Sequence, residues 1–362
     1  MNEPTRELHD LGQRLWLDNF SRPLLRNGTL QRYIREFSIT GLTSNPTTFE
    51  QAFGTDAYDD GIRVLGNLGL SGEAIFFQLA LEDMSEAADL FRPVFDASQG
   101  ADGWVSLEVS PLLADNTART IQAACRLFKR AAKTNLFIKI PGIPEGLRAV
   151  EELIFDGVPV GVTLLFSREH YLAAAEAYMR GIERRLGAGL DPKVASVASL
   201  FVSRWDAAVK EEISMPFHNR LGIAMAMRTY QAHQELLASD RWQKLAAAGA
   251  RPQRLLWAST GTKDPAPPDT LYVQALAAPD TINTLPQKTL LAFADHGHVI
   301  EAMPADGGYA DAVLEEFRRE GVDDEALAQR LQQDGVERFA TAWHAMLSRI
   351  AKKSLTVGSA AT

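Results

Sequence analysis

The stretch LFIKIP, Leu136–Pro141, reads as a β-strand with one charge inside it: Phe137, Ile138 and Ile140 surround Lys139, and Pro141 closes the run. A short, nearly continuous apolar run marks a strand covered on both faces, as in parallel sheets. Seven other runs share this character: RLWLDN (Arg14–Asn19), SITGLTSN (Ser38–Asn45), GWVSLEVS (Gly103–Ser110), VPVGVTLLF (Val158–Phe166), ASVASLFVS (Ala195–Ser203), RLLWAST (Arg254–Thr260) and LYVQALA (Leu271–Ala277). Between them lie amphipathic stretches such as ARTIQAACRLFKRAAK, with apolar residues three and four apart, the helical period. Ser167 and Ser203 stand where helix N-caps are expected.

Eight strands alternating with helices place the chain in the α/β class with a parallel sheet. Two architectures fit, a closed (β/α)₈ TIM barrel and an open doubly wound sheet. The second should show a glycine fingerprint after an early strand, and no GxGxxG stands there. The barrel also fits the length, with additional helices over Gly69–Ala97, Arg204–Ala248 and Tyr309–Ile350. Residues 1–362 read as a single barrel domain with a helical C-terminal extension. The tail SLTVGSAAT, Ser354–Thr362, reads as frayed.

The 362 residues are 46% hydrophobic, enough for a large core, and the formal charge is −9. An acidic chain without a basic run is a poor match for nucleic acid or an anionic membrane, yet a few local cations suffice for a phosphate ester. One cysteine, Cys125, leaves no internal disulfide to form, and the polar N-terminus lacks a signal-peptide core. The expectation is a cytoplasmic protein with no membrane partner. Oligomeric state is not set by the sequence, and Trp242 and Trp343 fit either an interface or internal packing.

In a barrel the C-terminal strand ends form the active site. That rule selects Asp18, Thr43, Ser44, Asn45, Glu108, Lys139, Thr163, Ser199, Ser259 and Thr260. Lys139 has two readings. One is an edge-strand lysine whose head reaches solvent. The other is a nucleophilic amine: desolvation disfavours the ammonium form, and a neutral amine attacks a ketone to give a Schiff base. Its protonated imine draws electrons and lets the adjacent carbon–carbon bond break. Asp18 and Glu108 can move the protons this requires; singly, each also fits a cap or an ion pair. The turn STGTKDP, Ser259–Pro265, can hold a phosphate through Ser259, Lys263 and backbone amides, or be an ordinary loop. Arg204 can add a bidentate phosphate contact, or pair with Asp206 in a first helical turn. His296 and His298 in DHGHV read as structural, not as metal ligands.

Together these motifs resemble the transaldolase family. The matching pieces are GLTSNPTTFE, VSLEVSP, NLFIKIPG with EGLRAV, VTLLFS, SVASLFVSRWD, LLWASTGTKDP and NTLPQKTLLAFADHG, in the family's order. The extended forms are similar to its longer bacterial branch, which also occurs fused to a glucose-6-phosphate isomerase domain. The resemblance implies a (β/α)₈ barrel needing no cofactor and no metal. It implies a transferase of the non-oxidative pentose phosphate pathway. That enzyme moves a dihydroxyacetone unit from sedoheptulose 7-phosphate or fructose 6-phosphate to an aldose phosphate, glyceraldehyde 3-phosphate or erythrose 4-phosphate. By motif, Lys139 matches the Schiff-base lysine and Asp18 the aspartate that takes the donor's C4 hydroxyl proton. Glu108 matches the glutamate that shuttles protons through a water. Asn45 and Thr43 match residues near the dihydroxyacetone hydroxyls and that water. Ser199, Phe201, Arg204 and Ser259 match positions lining the substrate and phosphate site. The family's second phosphate arginine has no direct counterpart, and Lys263 is the substitute.

One position departs from the pattern. Gly161 in VGVT stands where many members carry an asparagine that helps hold the covalent intermediate, so reduced activity or an altered donor preference is expected. Two alternatives stay open: an aldolase that releases free dihydroxyacetone from fructose 6-phosphate, and a sugar-phosphate-binding relative with reduced turnover. A metal-dependent barrel lyase ranks behind both and would be exposed by sensitivity to EDTA.

Overall fold

In the computed structural model, which describes residues 2–262 and 266–356, eight parallel strands close into a barrel in sequence order. They are β1 (Arg14–Asp18), β2 (Ile39–Thr43), β3 (Trp104–Glu108), β4 (Leu136–Pro141), β5 (Val160–Leu165), β6 (Ser196–Phe201), β7 (Arg254–Ala258) and β8 (Ile282–Leu285). β8 pairs with β1, Leu17 opposite Leu285, and this completes the ring. The alternation along β4 accounts for its lysine. Ile138 and Ile140 are fully buried on one face, while Phe137 and Lys139 point into the barrel at its two ends. The lower interior is filled by large rings. Phe137 stacks on Trp104 at 4.1 Å and on Trp16 at 6.1 Å. Gly41 makes room for them, since a Cβ there would stand 2.5 Å from the Trp16 indole.

Seven of the eight expected strands are where the sequence puts them; the eighth is not. Leu271–Ala277 holds a short helix, Leu271–Ala275, and the strand is Ile282–Leu285. A short apolar run does not distinguish helix from strand. The true strand carries two polar residues: Thr284 faces the barrel and meets Thr43, and Asn283, on the opposite face, accepts from Thr260 just past β7. Ser167 caps its helix by accepting from the His170 amide. Ser203 does not: Val202 holds the cap position, and the Ser203 hydroxyl instead meets Ser259 Oγ at 3.0 Å.

The helical stretch expected over Arg204–Ala248 holds three helices, Ser203–Val209, Leu221–Ala238 and Asp240–Ala247. The stretch expected over Tyr309–Ile350 holds two, Ala310–Arg319 and Asp324–Thr356. Gly321, at φ +91°, lies in the turn between that last pair. The helix Asp324–Thr356 takes in the first three residues of the tail expected to fray; Val357–Thr362 lie outside the described residues. Trp343 is fully buried in this helix against Phe76, and Trp242 is also buried, so both pack within the chain.

The helix Asp324–Thr356 crosses the upper end of the barrel. Gln332 Nε2 donates to the carbonyls of Leu164 (2.9 Å) and Gly142 (3.2 Å), just past β4 and near the end of β5. Leu164 is held at φ +61° beside a register shift in β5. A Cβ on Gly335 would stand 2.8 Å from its side chain, so a glycine lets the helix settle close. Among the described residues no helix is long and apolar enough to cross a membrane.

Candidate functional site

β3 and β4 run in register with Glu108 beside Lys139, which sets the two side chains at one height in the barrel. Lys139 Nζ donates to Glu108 Oε1 at 2.6 Å and to the Ser44 carbonyl at 2.7 Å. Both side chains are buried, at 9% and 6% exposure, so the ammonium stays out of bulk water only with a carboxylate against it. The solvent-reaching reading of Lys139 is therefore set aside. The other Glu108 oxygen accepts from Ser44 Oγ at 2.9 Å, and that hydroxyl also points at the Ser106 carbonyl, 2.8 Å away. Burial raises the Glu108 pKa above its ordinary value, while Lys139 and the Ser44 hydrogen bond oppose the rise.

Asp18 ends β1 and faces the same space. Its Oδ1 accepts from Thr43 Oγ1 (3.2 Å) and Asn45 Nδ2 (3.1 Å). Asn45 is fixed by local structure. It is the N-cap of the helix Pro46–Gly54, where its Oδ1 accepts from the Thr48 amide while Thr48 Oγ1 accepts from its own amide. With the oxygen committed to the cap, the Asn45 NH₂ has one direction left, toward Asp18. Burial raises the Asp18 pKa, and the positive charge of Lys139 counters it first among the opposing influences.

Above these groups opens a cavity of about 490 Å³ lined by Asp18, Lys139, Thr163, Ser199, Phe201 and Arg204 together with Thr43, Asn45 and Ser259. On the Glu108 side of Lys139 a pocket of about 20 Å³ has room for a single water. Thr163 borders both spaces, and its buried hydroxyl has no partner among the described residues. One buried amine, two carboxylates in different settings and a small pocket with room for one water beside Glu108 and Lys139 form a set suited to imine chemistry on a carbonyl.

The comparisons agree. Residues 15–350 match the family model described as Transaldolase/Fructose-6-phosphate aldolase. The chain belongs to this family. It is 44% identical to a transaldolase from Thiobacillus denitrificans, over 96% of this chain and 99% of the relative. It is 43% identical to transaldolases from Parafrankia (all of both chains) and Thermobifida fusca (98% of this chain, 99% of the relative).

For a member of the transaldolase family, the far end of the cavity matters as much as the lysine. Arg204 stands there with its guanidinium carbon 5.9 Å from the Phe201 ring centre. It does not pair with Asp206, which accepts from Tyr272 and from the amides of Leu221 and Gly222. Burial, then the like charge of Arg338, lower the Arg204 pKa, and its Nε is buried without a partner among the described residues. A guanidinium left in this condition is suited to an incoming anion. Ser259, at φ +57°, turns its hydroxyl toward Ser203. Lys263 lies outside the described residues.

Thr284, Lys288 and Phe339 line the same cavity and are absent from the sequence reading. Thr284 was lost with the misplaced eighth strand, although NTLP stands among the matching motifs. Phe339 and Arg338 sit on the C-terminal helix, where helical periodicity predicts packing but not which cavity the helix covers. His296 bonds Asp269 and Asp295 at the surface, and His298 meets Gln274.

Proposed function

We infer that the protein is a transaldolase. It transfers a dihydroxyacetone unit from sedoheptulose 7-phosphate or fructose 6-phosphate to an aldose phosphate, in the non-oxidative pentose phosphate pathway. In this reading the unit of function is the single barrel with its C-terminal helical extension, acting on small sugar phosphates in the cytoplasm.

The Lys139 amine adds to the C2 carbonyl of the donor. Glu108 takes and returns the proton through a water in the small pocket, and water leaves as the imine forms. Asp18 then accepts the C4 hydroxyl proton, the C3–C4 bond breaks, and its electron pair moves into the protonated imine to give an enamine. The aldose phosphate departs. The enamine carbon attacks the aldehyde of the acceptor, Asp18 returns its proton to the new hydroxyl, and water releases the product from Lys139. Thr43, Asn45, Thr163 and Ser199 hold the hydroxyls of the three-carbon unit. Phe201 walls it, and Arg204 and Ser259, with Lys263, hold the phosphate.

The observation supporting this reading is the 2.6 Å Lys139–Glu108 contact beside the cavity that also holds Asp18. Borohydride trapping with fructose 6-phosphate, followed by peptide mass mapping, tests it. A covalent adduct on Lys139 is expected; an adduct elsewhere, or none, refutes it. Omitting the acceptor separates transfer from aldol cleavage, since a transferase then releases little free dihydroxyacetone.

A further inference from the structure

We propose that Thr284 is a positioning residue for the transfer reaction: its hydroxyl directs the Thr43 proton onto Asp18 and so keeps that carboxylate ready to act as the base. The proposal rests on the role given to Asp18 above.

The geometry is a short chain across three strands. Thr284 Oγ1 on β8 stands 2.7 Å from Thr43 Oγ1 on β2, and Thr43 Oγ1 stands 3.2 Å from Asp18 Oδ1 on β1. All three residues line the large cavity, and both threonines are buried. Each hydroxyl carries one proton. An ionised Asp18 can only accept, so the Thr43 proton goes to Asp18. Thr43 then accepts, so the Thr284 proton goes to Thr43. When Asp18 has taken the substrate proton, this demand falls and both hydroxyls can turn. Asn45 cannot follow, because the capping box fixes its amide.

Asp18 therefore has one fixed donor and one donor that responds to its charge. Its other oxygen, Oδ2, has no protein donor among the described residues, and the residue lines the large cavity. β8 is itself pinned: Thr260 Oγ1 donates to Asn283 Oδ1 at 2.8 Å and to the Thr284 carbonyl at 3.1 Å. The backbone that carries the Thr284 hydroxyl is thus held in place by the neighbouring strand end.

The charged groups around Asp18 are few. Lys139 faces it from β4, with Glu108 of β3 behind that lysine. Arg204 from the helix Ser203–Val209 and Lys288 from the helix Gln287–His296 line the outer cavity. The lining residues from β2, β8 and the helix Pro46–Gly54 are uncharged. None of these groups except Asp18 itself is bonded to the threonine chain.

The experiment measures the pH dependence of carbon–carbon cleavage in single turnovers for the parent, Thr284→Val, Thr284→Ser and Asp18→Asn. Thr284→Val loses the donor at nearly constant volume. Its acid limb should move to higher pH, with a rate loss of about three- to tenfold at pH 6 and less than about twofold at pH 8.5. Thr284→Ser should restore the parent profile. If the valine variant does not accumulate folded, Thr284→Ala gives the same reading without the branched side chain. A loss equal at every pH, or an unmoved limb, overturns the proposal. Asp18→Asn keeps the two failures apart: if it cleaves at the parent rate, the role of Asp18 itself is wrong, whereas abolished cleavage with an unmoved Thr284 profile refutes only the present inference.

Discussion

Replacing Glu108 by glutamine should remove a proton carrier while leaving nearly every contact in place. The glutamine carbonyl can keep the 2.6 Å contact with Lys139. Its NH₂, in the place of Oε2, can donate to Ser44 Oγ, whose own proton then goes wholly to the Ser106 carbonyl 2.8 Å away. The fold should tolerate this. Removing one member of a buried ion pair costs about 3–5 kcal/mol when nothing replaces it, and a retained acceptor keeps the loss below that. The chemistry should not tolerate it. A lost general acid–base is worth about 10²–10⁴ in rate, or about 2.7–5.4 kcal/mol of barrier. Rapid-quench borohydride trapping reads imine formation directly, and a thermal melt reads stability in the same preparation. The expected result is slow trapping in a protein that still melts cooperatively. Trapping at the parent rate would refute the assignment, because an amide acts as neither a general acid nor a general base near neutral pH.

Lys139→Ala should abolish trapping and ketose phosphate cleavage together; cleavage at the parent rate would end the Schiff-base reading. Gly161→Asn adds an amide next to Lys139, where a Cβ would stand 3.2 Å from the lysine Cγ and 3.5 Å from Val197. Tight packing should lower the melting temperature by an amount equivalent to about 1–3 kcal/mol, while the added hydrogen bond raises the steady-state covalent fraction about two- to tenfold. Unchanged kcat and KM would show that Gly161 is neutral. Phe339→Ala opens the roof beside Lys139. Water should then reach the intermediate more easily and raise acceptor-independent release of dihydroxyacetone, and a release rate equal to the parent's would count against the roof. Burial holds the Asp18 pKa above its ordinary 3.8, so protonation favours the folded state. That stability is present at low pH and lost as pH rises through the folded pKa. Asp18→Asn should therefore melt higher than the parent at pH 7.5, with the gain shrinking toward pH 4, and a lower melting point at pH 7.5 would contradict this.

Most of the barrel was legible because its strands are buried on both faces and so are nearly uniform in composition. β8 was not, since one of its faces meets Thr43 through Thr284 and the other meets Thr260, just past β7, through Asn283. Its apolar signal was diluted by the residues that matter to the site. Lys139, Glu108 and Asp18 stood out as charges at the ends of apolar runs. Thr284 carried no such contrast. The phosphate end was half legible: Arg204 follows a strand directly, but Arg338 and Phe339 come from a helix more than a hundred residues later. No local pattern states which part of the barrel that helix crosses. Ser203 shows the converse error, a serine in a capping position whose hydroxyl is used across the strand ends instead.

The seam between β1 and β8 gives this catalyst an order of assembly. Thr43 follows Asp18 closely along the chain, yet the hydroxyl that completes their network lies 241 residues downstream of Thr43. Until that segment emerges and zips the ring shut, the nascent polypeptide holds a carboxylate with an unfinished hydrogen-bond network. The network around the base is thus completed only by closure of the ring, through topology alone.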